Sequence, residues 1–285
     1  MLKIGSHVSF KSPSYLVGAV EESINNGANT MMIYLGPPQS ARRVDKEKFN
    51  KEQYLKNYSH FIKPNDVIVH APYILNLANP EKSQFAKQFL IEEIQRMDYL
   101  GFKYLVLHPG ASLDYDREVA INELIKNLKN VLDSTKNSNV EIVLETMSGK
   151  GSEIGKTLEE IAQLVIGIND PRVGVCLDTC HLWDAGYNLE KDFETQNLTN
   201  DFFNKLEKLN LINLIKVIHL NDSKNSLNSH KDRHENLGQG AISLKALINF
   251  ANHPRFDNIP VILETPFKEG IYKQEIALIK KNNKI

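Results

Sequence analysis

The chain has 285 residues, 41% hydrophobic and 24% charged, the composition of an ordinary folded protein and not of a disordered, collagen-like or membrane-embedded one. Lys and Arg number 34 against 35 for Asp and Glu, which excludes a generally basic nucleic-acid coat, so any polyanion has to be held by a local patch. The start lacks the apolar stretch of a secretory signal, no run of about 18 apolar residues occurs, and the two cysteines, Cys176 and Cys180, are too few and too close for a disulfide framework; together these point to a cytoplasmic protein with no membrane contact.

Eight short apolar, β-branched runs follow in chain order: KIGSHVSF, TMMIYLG, DVIVHAP, KYLVLHPG, VEIVLET, RVGVCLD, IKVIHLND and PVILET. Near-continuous apolar strands of this kind are buried on both faces of a parallel sheet. Amphipathic stretches between them, such as 81–100 and 117–132, supply crossover helices. No Pro/Gly/Ser-rich linker or composition shift interrupts the series, so the expected architecture is α/β, one (β/α)8 barrel forming a single domain over 1–285. The Lys/Asn-rich end, KKNNKI, reads as a frayed terminus after the last helix.

The runs end on residues that carry chemistry. His70, His108, Glu145, Asp178, His219 and Glu264 close six consecutive strands, spaced by 38, 37, 33, 41 and 45 residues, each about one βα unit. In a barrel these positions share the C-terminal rim, where enzymes of this architecture place their sites. One strand-end histidine is ordinary packing, whereas six such groups in register would bury imidazoles and carboxylates together without partners. His181 lies three residues beyond Asp178, and Asp232 and His234 form a D-x-H 13 and 15 beyond His219, within loop reach of the same rim. Five histidines and four carboxylates exceed the needs of one tetrahedral zinc more than twofold and suit two or three ions sharing a bridging carboxylate. Three divalent ions set against four carboxylates leave the mouth positive by about two charges, a local attraction for phosphate. Such a cluster fits in-line displacement at phosphorus, because the ions activate a water, polarise the phosphoryl oxygens and stabilise the leaving alkoxide. From the ligands alone, metal-dependent sugar isomerisation or epimerisation and amide hydrolysis at a binuclear centre stay open.

The segments HAPYILN (70–76), LHPG (107–110), DTCH with AGY (178–187), HLNDSK (219–224), DRH followed by LGQG (232–240) and ILETP (262–266) together resemble endonuclease IV, the zinc-dependent apurinic/apyrimidinic (AP) endonuclease family. The likeness runs from IGSHVS at residue 4 to the final helices, and several long motifs in order make it specific. The resemblance implies a (β/α)8 barrel that hydrolyses the phosphodiester 5′ to an abasic site in double-stranded DNA and removes blocking groups from 3′ ends. All nine family ligands match here, which implies three zinc ions per monomer, with manganese as a substitute. Glu145 would bridge two ions, with His70 and His108 on one and Asp178, His219 and Glu264 around the other. His181, Asp232 and His234 would hold the third. Glu264 further resembles the group that orients or deprotonates the attacking water.

The resemblance also points to DNA contacts. Tyr73 matches the tyrosine that enters the duplex at the lesion, with Ile74 as the adjacent wedge. Where family members can carry an arginine in the loop after the second strand, GPPQSARR puts Gln39, with Arg42 and Arg43 slightly later, which leaves open the side chain that probes the minor groove. The family often has Asn after Glu145, whereas this chain reads ETMSGKG, so hydrogen bonding beside that ligand is expected to differ. Asn228, Ser229, His230 and Lys231 precede DRH in place of a small residue and an arginine, and His230 either replaces a phosphate contact or stands exposed. Lys224 and Arg233 flank the site as phosphate contacts or solvated charges. His7 ends the first strand at the same rim, as a neighbour of the ligands or as a core residue. Cys176, two before Asp178, points into the barrel beneath the ligands; Trp183 and Asp184 read as loop packing, and Gly238 and Gly240 as a tight turn.

Overall fold

The computed structural model describes residues 2–283. Its strands in chain order are β1 (Lys3–Ser6), β2 (Met31–Ile33), β3 (Val67–His70), β4 (Tyr104–Leu107), β5 (Glu141–Glu145), β6 (Val173–Asp178), β7 (Ile215–His219), β8 (Asp222–Ser223), β9 (His234–Glu235) and β10 (Pro260–Leu263). All but β8 and β9 form one eight-stranded sheet in the order β1-β10-β7-β6-β5-β4-β3-β2, every pair parallel. Its two edges meet: His7 bridges Met32 in parallel, and Val8 N–H donates to the Met32 carbonyl at 3.0 Å. The expected barrel is therefore the observed one. β8 and β9 pair antiparallel outside it, a small hairpin with no signal in the sequence periodicity.

Helices α1 (Tyr15–Asn25), α2 (Lys51–Asn57), α3 (Ser83–Leu100), α4 (Arg117–Ser134) and α5 (Leu158–Ile168) follow the first five strands in turn. Three short helices, α6 (Thr179–Asp184), α7 (Leu189–Phe193) and α8 (Asp201–Lys208), fill the β6–β7 crossover, and α9 (Leu244–Ala251) and α10 (Ile271–Lys281) complete the ring. α3 begins two residues later than the hydrophobic pattern predicts, because Asn79 Oδ1 accepts the Glu81 and Lys82 N–H groups and holds them in a turn. α4 starts at the predicted residue, its first turn capped by Asp116, which accepts from Glu118 and Val119 N–H. α10 takes in Lys280 and Lys281; Lys284 and Ile285 of the expected frayed end lie outside the described residues. No described helix is long and apolar enough to cross a membrane.

The pleat decides what faces inward. Val67 and Val69 pack outward with Leu90, Ile94 and Leu128, while Val175, Leu177, Ile218 and Val261 pack outward with Phe202, Leu247 and Ile276 on the other side. Each buried side chain of this kind contributes about 1.5–3 kcal/mol. Met32, Ile68, Val106, Val143, Cys176, Val217 and Ile262 fill the barrel interior as a separate buried layer. One period further along each strand, two residues on, stand Tyr34, His70, His108, Glu145, Asp178, His219 and Glu264, so alternation alone delivers them to the C-terminal mouth.

Candidate metal centre

Glu145 is the hub of this mouth. Its Oε2 lies 3.2 Å from His70 Nε2 and 3.1 Å from His108 Nε2, while Oε1 lies 3.0 Å from His219 Nδ1 and 3.4 Å from His181 Nδ1. His219 Nδ1 also meets Glu264 Oε2 at 2.9 Å and approaches Asp178 Oδ2 at 3.9 Å. From the loops, His181 Nε2 contacts Asp232 Oδ1 at 3.1 Å, and His234 Nε2 stands 3.6 Å from that oxygen and 3.9 Å from Asp178 Oδ2. All nine residues singled out in the sequence thus converge. Three overlapping groups have donor atoms mutually within 4.8 Å: His70, Glu145 and His219; Asp178, His181 and His234; and Glu145, Asp178, His219 and Glu264. His108 and Asp232 stand outside these groups but touch Glu145 and His181 respectively.

The histidines are aimed by the backbone. His70 Nδ1 bonds the Ala71 carbonyl at 2.7 Å, His181 Nδ1 the Thr146 carbonyl at 2.8 Å, and His234 Nδ1 the Glu264 carbonyl at 3.2 Å. In each case Nδ1–H is the donor, which fixes the tautomer and turns Nε2 into the site. His234 Nε2 is buried with no hydrogen-bond partner, an orphan acceptor among carboxylates that a divalent cation would satisfy. A donor set of imidazole nitrogens and carboxylate oxygens suits zinc or a similar borderline ion.

Burial opposes every charge here and is overcome by opposite neighbours. Burial pushes Glu145 up, but His219 and His108 hold its carboxyl well below the ordinary range, and His219 does the same for Glu264. Asp232 is held low against burial by His181. Against the same penalty, Asp178 and Asp232 raise His181 well above the usual value, as Glu264 and Glu145 do His219, and Glu145 raises His108. Glu145, Glu264 and Asp232 are therefore ionised at neutral pH, and protons held by His108, His181 and His219 are those a bound cation would displace.

Neighbouring residues fix the ring of donors. Asp178 caps α6 by accepting His181 N–H at 2.8 Å, and its N–H donates to Thr146 Oγ1 at 3.0 Å. Thr146 thus bonds two ring members, through its hydroxyl and its carbonyl. Asn221 ties Asp178 to Glu264, donating to Asp178 Oδ2 at 2.7 Å and accepting Glu264 N–H at 2.9 Å. Gly238 and Gly240 N–H groups wrap the buried Asp222 carboxylate at 3.0 and 2.9 Å, the tight turn expected. A Cβ on Gly240 would come within 2.3 Å of the Ser223 carbonyl oxygen, so no other residue fits there. Cys176 lies in the interior layer, its thiol pushed up to about 12 by burial, and Cys180 is buried and in none of the donor groups.

The remaining sequence candidates all stand on loops of the same rim. Tyr73 and Ile74, after β3, are 53% and 41% exposed, and Gln39 and Arg42, after β2, are exposed. Arg43 is neither solvated nor free to reach DNA: its side chain is 3% exposed, bonds Glu93 of α3 at 2.8 Å and covers the Phe89 ring. Lys224 is exposed but 3.8 Å from Glu235 Oε2, and Arg233 Nη1 donates to the Asp232 carbonyl at 2.8 Å. His230 is exposed with Nδ1 bonded to the Ser148 carbonyl at 2.8 Å. His7 is half-buried at the mouth, its ring edge-on to Tyr34 at 5.2 Å, and burial lowers its pKa despite the nearby Glu264.

Three rim residues escaped the sequence reading. Tyr34 stands 5.0 Å from the His70 ring, and burial beside Glu264 and Glu145 keeps its phenol protonated; its signal was its place two residues beyond the interior Met32. Leu113 and Phe267 are 51% and 76% exposed on the loops after β4 and β10, and an isolated apolar residue in a polar loop was the only cue.

Fold and donors together define the class: a family model described as xylose isomerase-like TIM barrel matches residues 20–282. Within it, the chain is 54% identical over 281 residues to the proteins called probable endonuclease 4 of Mycoplasmopsis pulmonis and Mycoplasmopsis synoviae, matches that span 98% of this chain and 99% and 98% of theirs. It is similar to the crystal structure of endonuclease IV from Thermus thermophilus, with TM-score 0.81, 27% identity and 98% of both chains covered. The chain belongs to the endonuclease IV family. A D-tagatose 3-epimerase-like protein, 18% identical with TM-score 0.73 over 99% of this chain and 97% of its own, shares the barrel alone.

Proposed function

We propose that the protein is an AP endonuclease that hydrolyses the phosphodiester 5′ to an abasic site in double-stranded DNA, leaving a 3′-hydroxyl and a 5′-deoxyribose phosphate, and that it also clears blocked 3′ ends. The observation that carries this reading is the convergence of five imidazoles and four carboxylates on one barrel mouth, in a chain whose relatives are called probable endonuclease 4. The donor set suits three zinc ions, with manganese as an alternative: His70 and His108 with Glu145; Glu145 again with Asp178, His219 and Glu264; and His181, Asp232 and His234. When bound, such ions supply Lewis-acid activation of water and neutralise charge at phosphorus.

The chain's own residues do the rest. Glu145 directs its two oxygens at different histidines, the geometry of a bridging carboxylate. Its side chain and that of Asp178 are 1% and 0% exposed, whereas Glu264, His234, His108 and Asp232 are 16–27% exposed, so substrate arrives on their side. Glu264, ionised and open to that side, orients the attacking water or takes its proton. Tyr73 and Ile74 enter the duplex at the lesion, where no base resists unstacking. Gln39 or Arg42 follows the minor groove, and Lys224, His230 and Arg233 contact phosphates. In this reading one copy of the chain supplies every residue named, and the protein acts as a single-domain monomer; its place is the cytoplasm, where its DNA substrate lies.

The test is incision of an end-labelled duplex bearing one tetrahydrofuran abasic analogue, before and after chelation and zinc restoration. Because the analogue cannot undergo β-elimination, a cut leaving a 3′-hydroxyl is hydrolysis. Zinc-restored cutting on the 5′ side is expected. No cutting by folded protein with measured zinc overturns the proposal and moves the search to sugar isomerase or epimerase substrates.

A further inference from the structure

The loop joining β8 to β9 has an unusual backbone. Asn228, His230 and Asp232 all lie in the left-handed region, at φ 64°, 55° and 53°. Asn, His and Asp enter this region more readily than other side chains, but three alternate residues in it need partners that hold the backbone there. What surrounds this loop is the last turn of α6. Trp183 Nε1–H donates to the Asn225 carbonyl at 3.0 Å, and the Trp183 carbonyl accepts Asn228 N–H at 3.1 Å. The Asp184 carbonyl accepts His230 N–H at 3.0 Å. The Asp184 carboxylate, wholly buried, takes Asp232 N–H on Oδ2 at 2.8 Å and Ser223 Oγ–H on Oδ1 at 2.7 Å. The N–H groups held are those of Asn228, His230 and Asp232, the three left-handed residues themselves.

We propose that Trp183 and Asp184 are positioning residues that mould this loop, so that Asp232 and His234 face His181 and the affinity of that ion site is set by two residues that do not ligate it. The helix links the two halves of the group: α6 carries His181 in its first turn and fixes the loop bearing the other two from its last turn. The inference rests on the reading of His181, Asp232 and His234 as ligands of one ion.

The test uses the full-length chain, wild type and the variants Asp184→Asn, which keeps one of two acceptor oxygens, and Trp183→Phe, which keeps an aromatic ring but no Nε1–H. Amide hydrogen exchange on metal-stripped protein reads the mould without reference to metal. Protection of the Asn228, His230 and Asp232 amides is expected in wild type, and that of Asp232, whose N–H donates to the replaced carboxylate, is expected to fall at least about tenfold in Asp184→Asn, with the barrel strands unchanged. Zinc titration against a chromogenic chelator should then show one class of site weakened about 10–100-fold and the others retained, with kcat for incision lowered and KM for DNA little changed. Equal exchange of these amides in wild type and both variants overturns the mould, and lost protection with all zinc affinities unchanged overturns its effect on the site. Protected amides in a wild type that binds no zinc would instead overturn the ligand reading while leaving the mould standing. If Asp184→Asn does not fold, Trp183→Phe decides by the same measurements, with a smaller expected effect from one lost hydrogen bond.

Discussion

Glu264 and Glu145 are both ionised in the fold, but they differ in what they face. Glu145 is enclosed by four imidazoles, whereas Glu264 meets His219 on one side and the open mouth on the other. Replacing Glu264 with Gln keeps the shape and removes the charge, so incision is expected to fall about 10²–10⁴-fold while the barrel stays folded; near-normal incision in a single-turnover assay would remove Glu264 from its role. The paired arginines give a contrast of a different kind. Arg43 neutralises the fully buried Glu93, and Arg43→Ala is expected to cost about 3 kcal/mol in urea unfolding, the lower end for a broken buried pair because Arg96 stays 3.4 Å from the same carboxylate. Arg42→Ala should leave stability unchanged and reduce the salt dependence of DNA binding by about one phosphate contact. The sequence shows two adjacent arginines as equals; Glu93 lies 50 residues away and only the fold brings it to one of them.

At the scale of elements, the strands were the most legible feature and the loops the least. Seven of the eight barrel strands carry an inward apolar residue followed two positions later by a mouth residue, a period-2 rule that needs no tertiary information. The β8–β9 hairpin has two residues a side and no hydrophobic pattern, so nothing local announces it. The same holds for the connection before β10, where His253 packs among Phe193, Phe203 and Phe256. Its Nδ1 accepts Arg255 N–H at 3.3 Å and its Nε2–H donates to the Asn197 carbonyl at 2.9 Å, so this segment requires the neutral ring. Burial, aided by Arg255, lowers the His253 pKa below 6.5. The stability it confers is complete above that value and is lost as pH falls through the lowered folded-state pKa. His253→Gln is expected to flatten the fall in melting temperature between about pH 7 and pH 5; a variant as acid-sensitive as wild type in a buffer series would contradict this.

For the whole molecule, the site and the stability of the barrel are coupled. Six barrel strands each contribute one of the nine converging side chains, so a cation held there ties the strands of the sheet to one another and binds the folded chain alone. Free zinc at about 100 times its dissociation constant should stabilise the fold by about 2.7 kcal/mol. Chelation is therefore expected to lower the melting temperature by several degrees and zinc to restore it, and a calorimetric scan indifferent to both would contradict the coupling. The sequence by itself determined the barrel, the six strand-end members of the nine converging residues and the interior place of Cys176, because these follow from the spacing of strands and the alternation of side chains, which are local; His181, Asp232 and His234 were legible from their short offsets beyond Asp178 and His219 and from the family motifs. Only the tertiary structure decided that Arg43 is spent on Glu93 and that Asp184 grips the loop carrying Asp232. Those outcomes depend on which distant segments meet, and contact between segments is a property of the closed barrel, not of any run of residues within it.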